Sequence, residues 1–400
     1  MTRIPATAFF AVLAGTTLGA LACPPAQIAH EIIPDGEFCG TVMTVEQQSS
    51  IDVVFVLDTT GSMGGLIDGA KEKIWAIANQ IAMADPSPKV RMGLVGYRDR
   101  GDKYVTTITQ LTDDIDTVYA DLMAYQAQGG GDTPESVNEA LFQAVERFEW
   151  TTEENALKLI YLVGDAPPKM GYADDVKYQA SCRLAYEQGI NINTIQCGTM
   201  EETRVVWQEV AQLANGMYAA IEQSGGVIAV STPFDEQIAK LDAQINKTML
   251  DYGDAEVFAY QESKRERSDA ISGKAAPSAA ADRAVYNLSD AGRSNVFGLQ
   301  ELVDDVINER VKLDEIPNDE LPEQLRSMST DEMREVIDER KAERDELSAK
   351  IKQLAKERAS YLKAHNPSPA MDSFDQKVLE ALVEQGARVG IKFESESAIN

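Results

Sequence analysis

The chain has 400 residues, with 37 Lys and Arg against 65 Asp and Glu, a formal charge of −28. So acidic a protein excludes nucleic-acid recognition driven by phosphate charge, and it argues against docking on anionic lipid. Hydrophobic residues at 44% suffice for a real core, and with only His30 and His365 a His-rich metal centre or a mid-chain Ser-His-Asp relay is excluded.

Residues 1–22 place one Arg before a long apolar run that exits through Ala20-Leu21-Ala22. A basic start, an apolar middle and an A-x-A exit predict an export signal rather than a retained membrane anchor. The mature chain is then periplasmic or secreted, with no membrane span after cleavage. Cys23 follows the cut directly. It either carries lipid, which would anchor the protein to a membrane, or pairs with another thiol. Four cysteines, Cys23, Cys39, Cys182 and Cys197, make an even set suited to an oxidising compartment, and proximity in sequence favours Cys23–Cys39 and Cys182–Cys197. For the second pair, helix and strand rises set the two residues at different levels, so that a bridge requires the helix to tilt or the strand to end early.

Residues 23–49 form an amino-terminal segment, and a first domain is expected over 50–250. Its opening run, IDVVFVL at 51–57, is continuously apolar and reads as a strand buried on both faces. Further strands are expected at 90–97, 105–111, 157–163 and 190–197. Between them, 66–83, 134–148, 173–188 and 203–215 show helical spacing. Alternating strands and helices predict an α/β fold with a doubly wound, mostly parallel sheet. Residues 251–293 are polar, rich in Ala and Ser and without period, and read as a flexible linker. A helical region follows at 294–400, including pieces at 298–310, 319–327 and 374–387.

Its longest helix is expected at 330–363, behind a Ser329–Glu332 capping box. A 4-3 stripe runs through Met333, Ile337, Arg340, Arg344, Leu347, Ile351, Leu354, Arg358 and Tyr361. Two readings stand: a coiled coil that assembles copies of the chain, or an amphipathic helix folded onto its neighbours. Arginine at three of the nine seam positions weakens the first.

Three loops share one edge of the expected sheet. Asp58-Thr59-Thr60-Gly61-Ser62 follows the first strand, Gly129 to Glu135 enters a helix and offers Thr133, and Gly164-Asp165-Ala166-Pro167-Pro168 ends the 157–163 strand. Ligands of open α/β sheets bind beyond the carboxyl ends of strands. Asp58, Thr60, Ser62, Thr133 and Asp165 supply oxygen donors alone, which suit a hard octahedral cation such as Mg²⁺, with Mn²⁺ as the alternative. Asp132 and Glu135 flank this set, as an outer shell or as helix-start residues. Arg98-Asp99-Arg100 reads as a surface ion pair near the same edge, and Met63 as a packing residue.

At these residues the chain resembles a von Willebrand factor type A domain over roughly 50–245, through DTTGS, the Gly-rich loop with Thr and the GDAPP loop. The resemblance implies a metal-ion-dependent adhesion site. By that analogy Thr60, Ser62 and Thr133 bind the ion directly, while Asp58 and Asp165 act mostly through water and hydrogen bonds. An ion held by neutral hydroxyls keeps much of its charge and favours a hard anion, such as an exposed Asp or Glu of a protein partner.

The expected function is therefore non-enzymatic binding of a protein partner through Mg²⁺. The alternatives are a metal-dependent hydrolase and a structural oligomer assembled by the helical tail. Mass spectrometry of the native protein checks the processing step: the mature chain begins at Cys23, with a free amine or with lipid, and an intact Met1 would refute it.

Overall fold

The structure is a computed structural model that describes residues 49–153, 155–226, 230–365 and 373–393. Six strands, β1 (Ser50–Asp58), β2 (Lys89–Tyr97), β3 (Thr106–Thr112), β4 (Leu157–Gly164), β5 (Ile190–Cys197) and β6 (Tyr218–Ile221), form one sheet in the order β3-β2-β1-β4-β5-β6. All neighbours are parallel except β3, which pairs antiparallel with β2. The expected doubly wound α/β sheet is thus present. Edge strand β6, only four residues long, has no apolar run to announce it.

β1 lies at the centre, and all nine of its residues are buried. Its side chains alternate between two cores, as a strand must. Ile51, Val53, Phe55 and Leu57 face one; Val54 and Val56 face the other. The second core is covered by α3 (Val137–Glu146), α4 (Tyr178–Glu187) and α5 (Glu201–Leu213). The first is covered by α1 (Gly64–Ala82) and α2 (Ile115–Ala124), together with helices drawn from far along the chain.

Those distant helices correct the expected boundaries. Residues 251–293 hold α7 (Ala255–Lys274) and α8 (Pro277–Tyr286) in place of a flexible linker. Tyr286 of α8 packs on Trp75 of α1, with ring centroids 5.7 Å apart. Arg283 of α8 is buried and forks onto Asp116 of α2, while its third nitrogen reaches Asp242 of α6 (Asp235–Asn246) at 2.7 Å. Such a segment lacks an apolar period because its inner face is partly made of paired charges. The last helix, α12 (Phe374–Arg388), lies against the sheet itself. Phe374, Val378 and Leu382 join the first core, and Tyr161 of β4 donates to the Val378 carbonyl at 3.0 Å. Asn193 of β5 and Gln385 exchange two buried hydrogen bonds of 3.0 and 2.7 Å. A domain ending at 250 would leave this face open to water, and the described residues all fall within one compact unit.

The long helix α11 spans Thr330–His365, and the capping box at its start is formed, with the Ser329 amide donating to Glu332 at 2.7 Å. Its stripe does not serve a coiled coil in this structure. Met333, Ile337, Leu347 and Ile351 pack into two small cores of the same chain, with residues of α6, α8 and α10 (Leu302–Ile307). Two of the three seam arginines, Arg344 and Arg358, explain themselves here. Arg344 binds Glu301 in a fork at 2.8 and 2.7 Å, and Arg358 reaches Asp235 at 2.6 Å and Asp282 at 2.7 Å. Removing one partner of a buried pair leaves an uncompensated charge, so these arginines fix where α11 lies.

No bridge joins Cys182 and Cys197; both are buried free thiols. The expected pairing fails on topology. Cys182 on α4 points into the core beneath α3 and α5, whereas Cys197 at the end of β5 faces the opposite core. Burial pushes the Cys182 thiol up to about 12 and that of Cys197 higher still, so neither is a reactive thiolate. Cys23, Cys39 and the expected signal lie outside the described residues. No helix among the described residues is long and apolar enough to cross a membrane.

Phe374 is 2% exposed and touches the centre of the sheet. Phe374→Ala is expected to cost about 3–5 kcal/mol in urea unfolding. A loss under ~1 kcal/mol would show that α12 is no part of the core.

Candidate metal centre

β1 delivers Asp58 to the sheet edge wholly buried. The chain then turns so that Thr60 folds back on it: the Thr60 amide donates to Asp58 Oδ1 at 2.8 Å, and the Thr60 hydroxyl donates to the same oxygen at 2.6 Å. The carboxylate therefore takes the hydroxyl proton and leaves the Thr60 oxygen lone pairs for another partner. Ser62 Oγ lies 3.4 Å from Thr60 Oγ1. Asp58 Oδ2 is buried and makes no hydrogen bond.

Parallel pairing of β1 with β4 brings the next loop alongside. A side chain at Gly164 would collide with the Tyr97 hydroxyl and come within 2.9 Å of Asp58 Cβ, which explains glycine there. Asp165 follows. Its Oδ2 accepts from Gln223 Nε2 at 2.7 Å, and the same nitrogen lies 3.5 Å from the Ser62 carbonyl. Gln223, in the turn after β6, thus bridges the first and third loops; nothing in the sequence singles it out. Thr203 of α5 steadies the loop by donating to the Asp165 carbonyl at 2.8 Å.

The Gly-rich loop closes the third side. Gly61 donates to the Gly129 carbonyl at 3.2 Å, and Gln128 donates to the Thr59 carbonyl at 3.1 Å. At Gly130, with φ +73°, a Cβ would lie 2.8 Å from Thr60 Cβ and 3.2 Å from Glu135 Oε1. Glu135, 3% exposed, is therefore the carboxylate that the loop sets near Thr60, and its Oε2 also lacks a hydrogen bond. Thr133 is on the exposed outer part of the same loop. Backbone bonds from Glu135 N to the Pro167 carbonyl and from Lys169 N to the Glu135 carbonyl, 3.0 and 2.8 Å, stitch this loop to the third. Asp132 is taken by Lys169 Nζ at 2.5 Å, so it stabilises the loop's outside.

Arg98 and Asp99 are not a surface pair. Both are buried. Arg98 Nε donates to the Thr59 carbonyl at 3.1 Å and its terminal nitrogen to the Gln126 carbonyl at 2.7 Å, tying the first two loops. Asp99 accepts from Ser136 at 2.8 Å. Met63 is fully buried, as a packing residue should be.

The electrostatics are those of an under-compensated carboxylate cluster. Burial, offset in part by the Thr60 hydrogen bonds and reinforced by Asp165, raises Asp58 to about 7. Burial and the charges of Asp58 and Asp99 raise Glu135 to about 8. Two orphaned carboxylate oxygens beside hydroxyl donors fit a hard divalent cation, whose charge would answer both. The structure thus joins Asp58, Thr60, Ser62 and Asp165 and adds Glu135. Thr133 shares the loop, on its exposed outer part.

Residues 52–232 match the family model of the von Willebrand factor A domain. This segment is similar to that domain. Two curated relatives are similar to it. One is an ariadne-like RING finger protein of Acanthamoeba polyphaga mimivirus, 27% identical over 124 residues, covering 31% of this chain and 12% of the relative. The other is von Willebrand factor A domain-containing protein 7 of Rattus norvegicus, 33% identical over 136 residues, covering 33% and 14%. The chain therefore spans only about an eighth of the length of these relatives. Among solved structures, proximal thread matrix protein 1 from the mussel byssus, with zinc in its MIDAS motif, aligns with TM-score 0.33 at 16% identity over 43% of this chain and 42% of its own.

A carboxyl raised on folding takes up protons in the native state, so it favours folding at low pH and loses that contribution as pH rises through the folded value. In EDTA, stability is expected to fall between about pH 4 and pH 8, at up to ~1.4 kcal/mol per pH unit for each ionising group. Asp58→Asn and Glu135→Gln should each flatten that slope in urea titrations. An unchanged slope in both variants would show that these carboxyls are not raised.

Proposed function

We propose that this chain is a non-enzymatic, exported binding protein whose von Willebrand factor A domain engages a protein partner through a divalent cation, Mg²⁺ or in its place Mn²⁺. The observation that supports it most is Asp58: a fully buried carboxylate with one oxygen spent on Thr60 and the other unpaired. Asp58, Thr60, Ser62, Glu135 and Asp165 would hold the ion, with Thr133 as the further hydroxyl donor of the Gly-rich loop. The ion supplies a Lewis-acid centre for a hard anionic ligand, and an exposed Asp or Glu of the partner suits it.

The chain's own residues prepare that encounter. Asp58 orients the Thr60 hydroxyl. Arg98 fastens the first loop to the second, and Gln223 fastens the first to the third. Export, to periplasm or medium, rests on residues 1–22, and a lipid anchor at Cys23 would keep the protein at a membrane. Self-assembly through α11 is not proposed, because its stripe is already spent inside the chain.

Titration calorimetry with Mg²⁺ and Mn²⁺ on the full chain tests the site. Asp58→Ala and Asp165→Ala should each weaken binding at least tenfold, and Thr133→Ala measures what that hydroxyl adds. Undiminished binding in both aspartate variants would overturn the assignment. A protein retained from envelope extract in Mg²⁺ and released by EDTA is the outcome expected for the partner; retention unaffected by EDTA would overturn the metal-mediated mode.

A further inference from the structure

We propose that Asp102, on the loop after β2, is a positioning residue for the metal centre. Its carboxylate pins the Gly-rich loop in the path that brings Glu135 beside Thr60. The role presupposes the cation of the proposed function. Asp102 lies beyond Arg98-Asp99-Arg100, on none of the three loops that carry the oxygen donors.

Its neighbours Asp99 and Asp132 both meet Lys169. Asp102 has no ion pair among the described residues, and its hydrogen bonds go to backbone amides. Oδ2 accepts from the Asp99 amide at 3.3 Å and from the Gly130 amide at 3.2 Å. One amide belongs to its own loop and the other to the Gly-rich loop, 28 residues further on. Amide bonds to an ionised acceptor are stronger than those to a neutral one. The carboxylate also fills the space that a side chain at Gly129 would take, since a Cβ there would collide with it.

What is pinned is the part of the loop that touches the donors. The Gly129 carbonyl accepts from the Gly61 amide, and Gly130 abuts Thr60 and Glu135. Gly129 and Gly130 hold φ of +80° and +73°, values that glycine enters freely and leaves as freely. Three glycines in a row therefore need an external restraint to keep one path. Without it the ion itself has to order the loop, and fixing one backbone residue lowers an affinity about tenfold. The rival role for Asp102 is attraction of the cation by charge alone, and two substitutions separate them. Asp102→Asn keeps an acceptor oxygen for both amides and removes the charge. Asp102→Glu keeps the charge, but its extra methylene does not fit against Gly129.

The test titrates Mg²⁺ into the full chain by calorimetry, with Asp58→Ala as the reference. Asp102→Ala and Asp102→Glu are expected to weaken binding about tenfold, while Asp102→Asn stays within about twofold of the unaltered chain. Urea midpoints check that each variant is folded; a shifted midpoint in Asp102→Ala leaves the Asn and Glu variants to decide. Hydrogen exchange in EDTA reads the loop without the ion: the Gly129 to Gly131 amides should exchange faster in Asp102→Glu and at the original rate in Asp102→Asn. Full affinity in Asp102→Glu, an equal loss in Asp102→Asn, or unaltered exchange in Asp102→Glu would each overturn the proposal. Undiminished binding in Asp58→Ala would instead overturn the metal reading, and the exchange rates alone then decide whether Asp102 pins the loop.

Discussion

Every residue of β1 is withheld from water, and most of the molecule follows from that. A strand buried on both faces needs helices on both, and it ends at the one place where its backbone can hand a side chain to a ligand. Asp58 stands at that end, so its burial is a consequence of the strand's position rather than a separate device. The loops around it are then under one demand: to satisfy or offset a carboxylate that water cannot reach. Thr60 meets one oxygen. The second is left to whatever enters, and the neighbouring Asp165 and Glu135 deepen the deficit rather than relieve it.

Paired charges do for the helical region what apolar stripes do for the sheet. Arg283, Arg344 and Arg358 are each buried and each clasp carboxylates from distant segments. Such pairs are poor sources of net stability, since desolvation offsets most of their attraction. Their value is positional. A fork on Glu301 admits one placement of α11, and a fork on Asp116 admits one placement of α8. Arg344 and Arg358 read as flaws in a dimer seam because a sequence shows the cation and not the carboxylate that meets it.

That contrast marks how far the sequence could be read. The central strands β1 and β4 were legible because a strand covered on both faces must be almost continuously apolar, and DTTGS was legible because it abuts such a run. β6 was not, since Tyr-Ala-Ala-Ile is too short to differ from a loop. α7 was mistaken for a linker because its buried positions include Gln261, Lys264 and Ser268, polar residues whose partners lie elsewhere in the chain. At the site, Asp58, Thr60, Ser62 and Asp165 were named from strand ends alone. Glu135 was only half seen: its place beside Thr60 depends on the path of the Gly-rich loop, and residue types do not give that path. The thiols were paired by proximity along the chain, yet two residues fifteen apart in sequence can face opposite sides of a sheet.

The reciprocal amide pair between Asn193 and Gln385 joins residues 192 positions apart. Contacts of that span are slow to form, because loop closure precedes any return from the contact. One face of the central strands is therefore sealed by a helix that leaves the ribosome long after them. Until α12 arrives, Phe55 lacks Phe374 and Tyr161 lacks the Val378 carbonyl, so the order of synthesis itself keeps this face of the sheet unfinished.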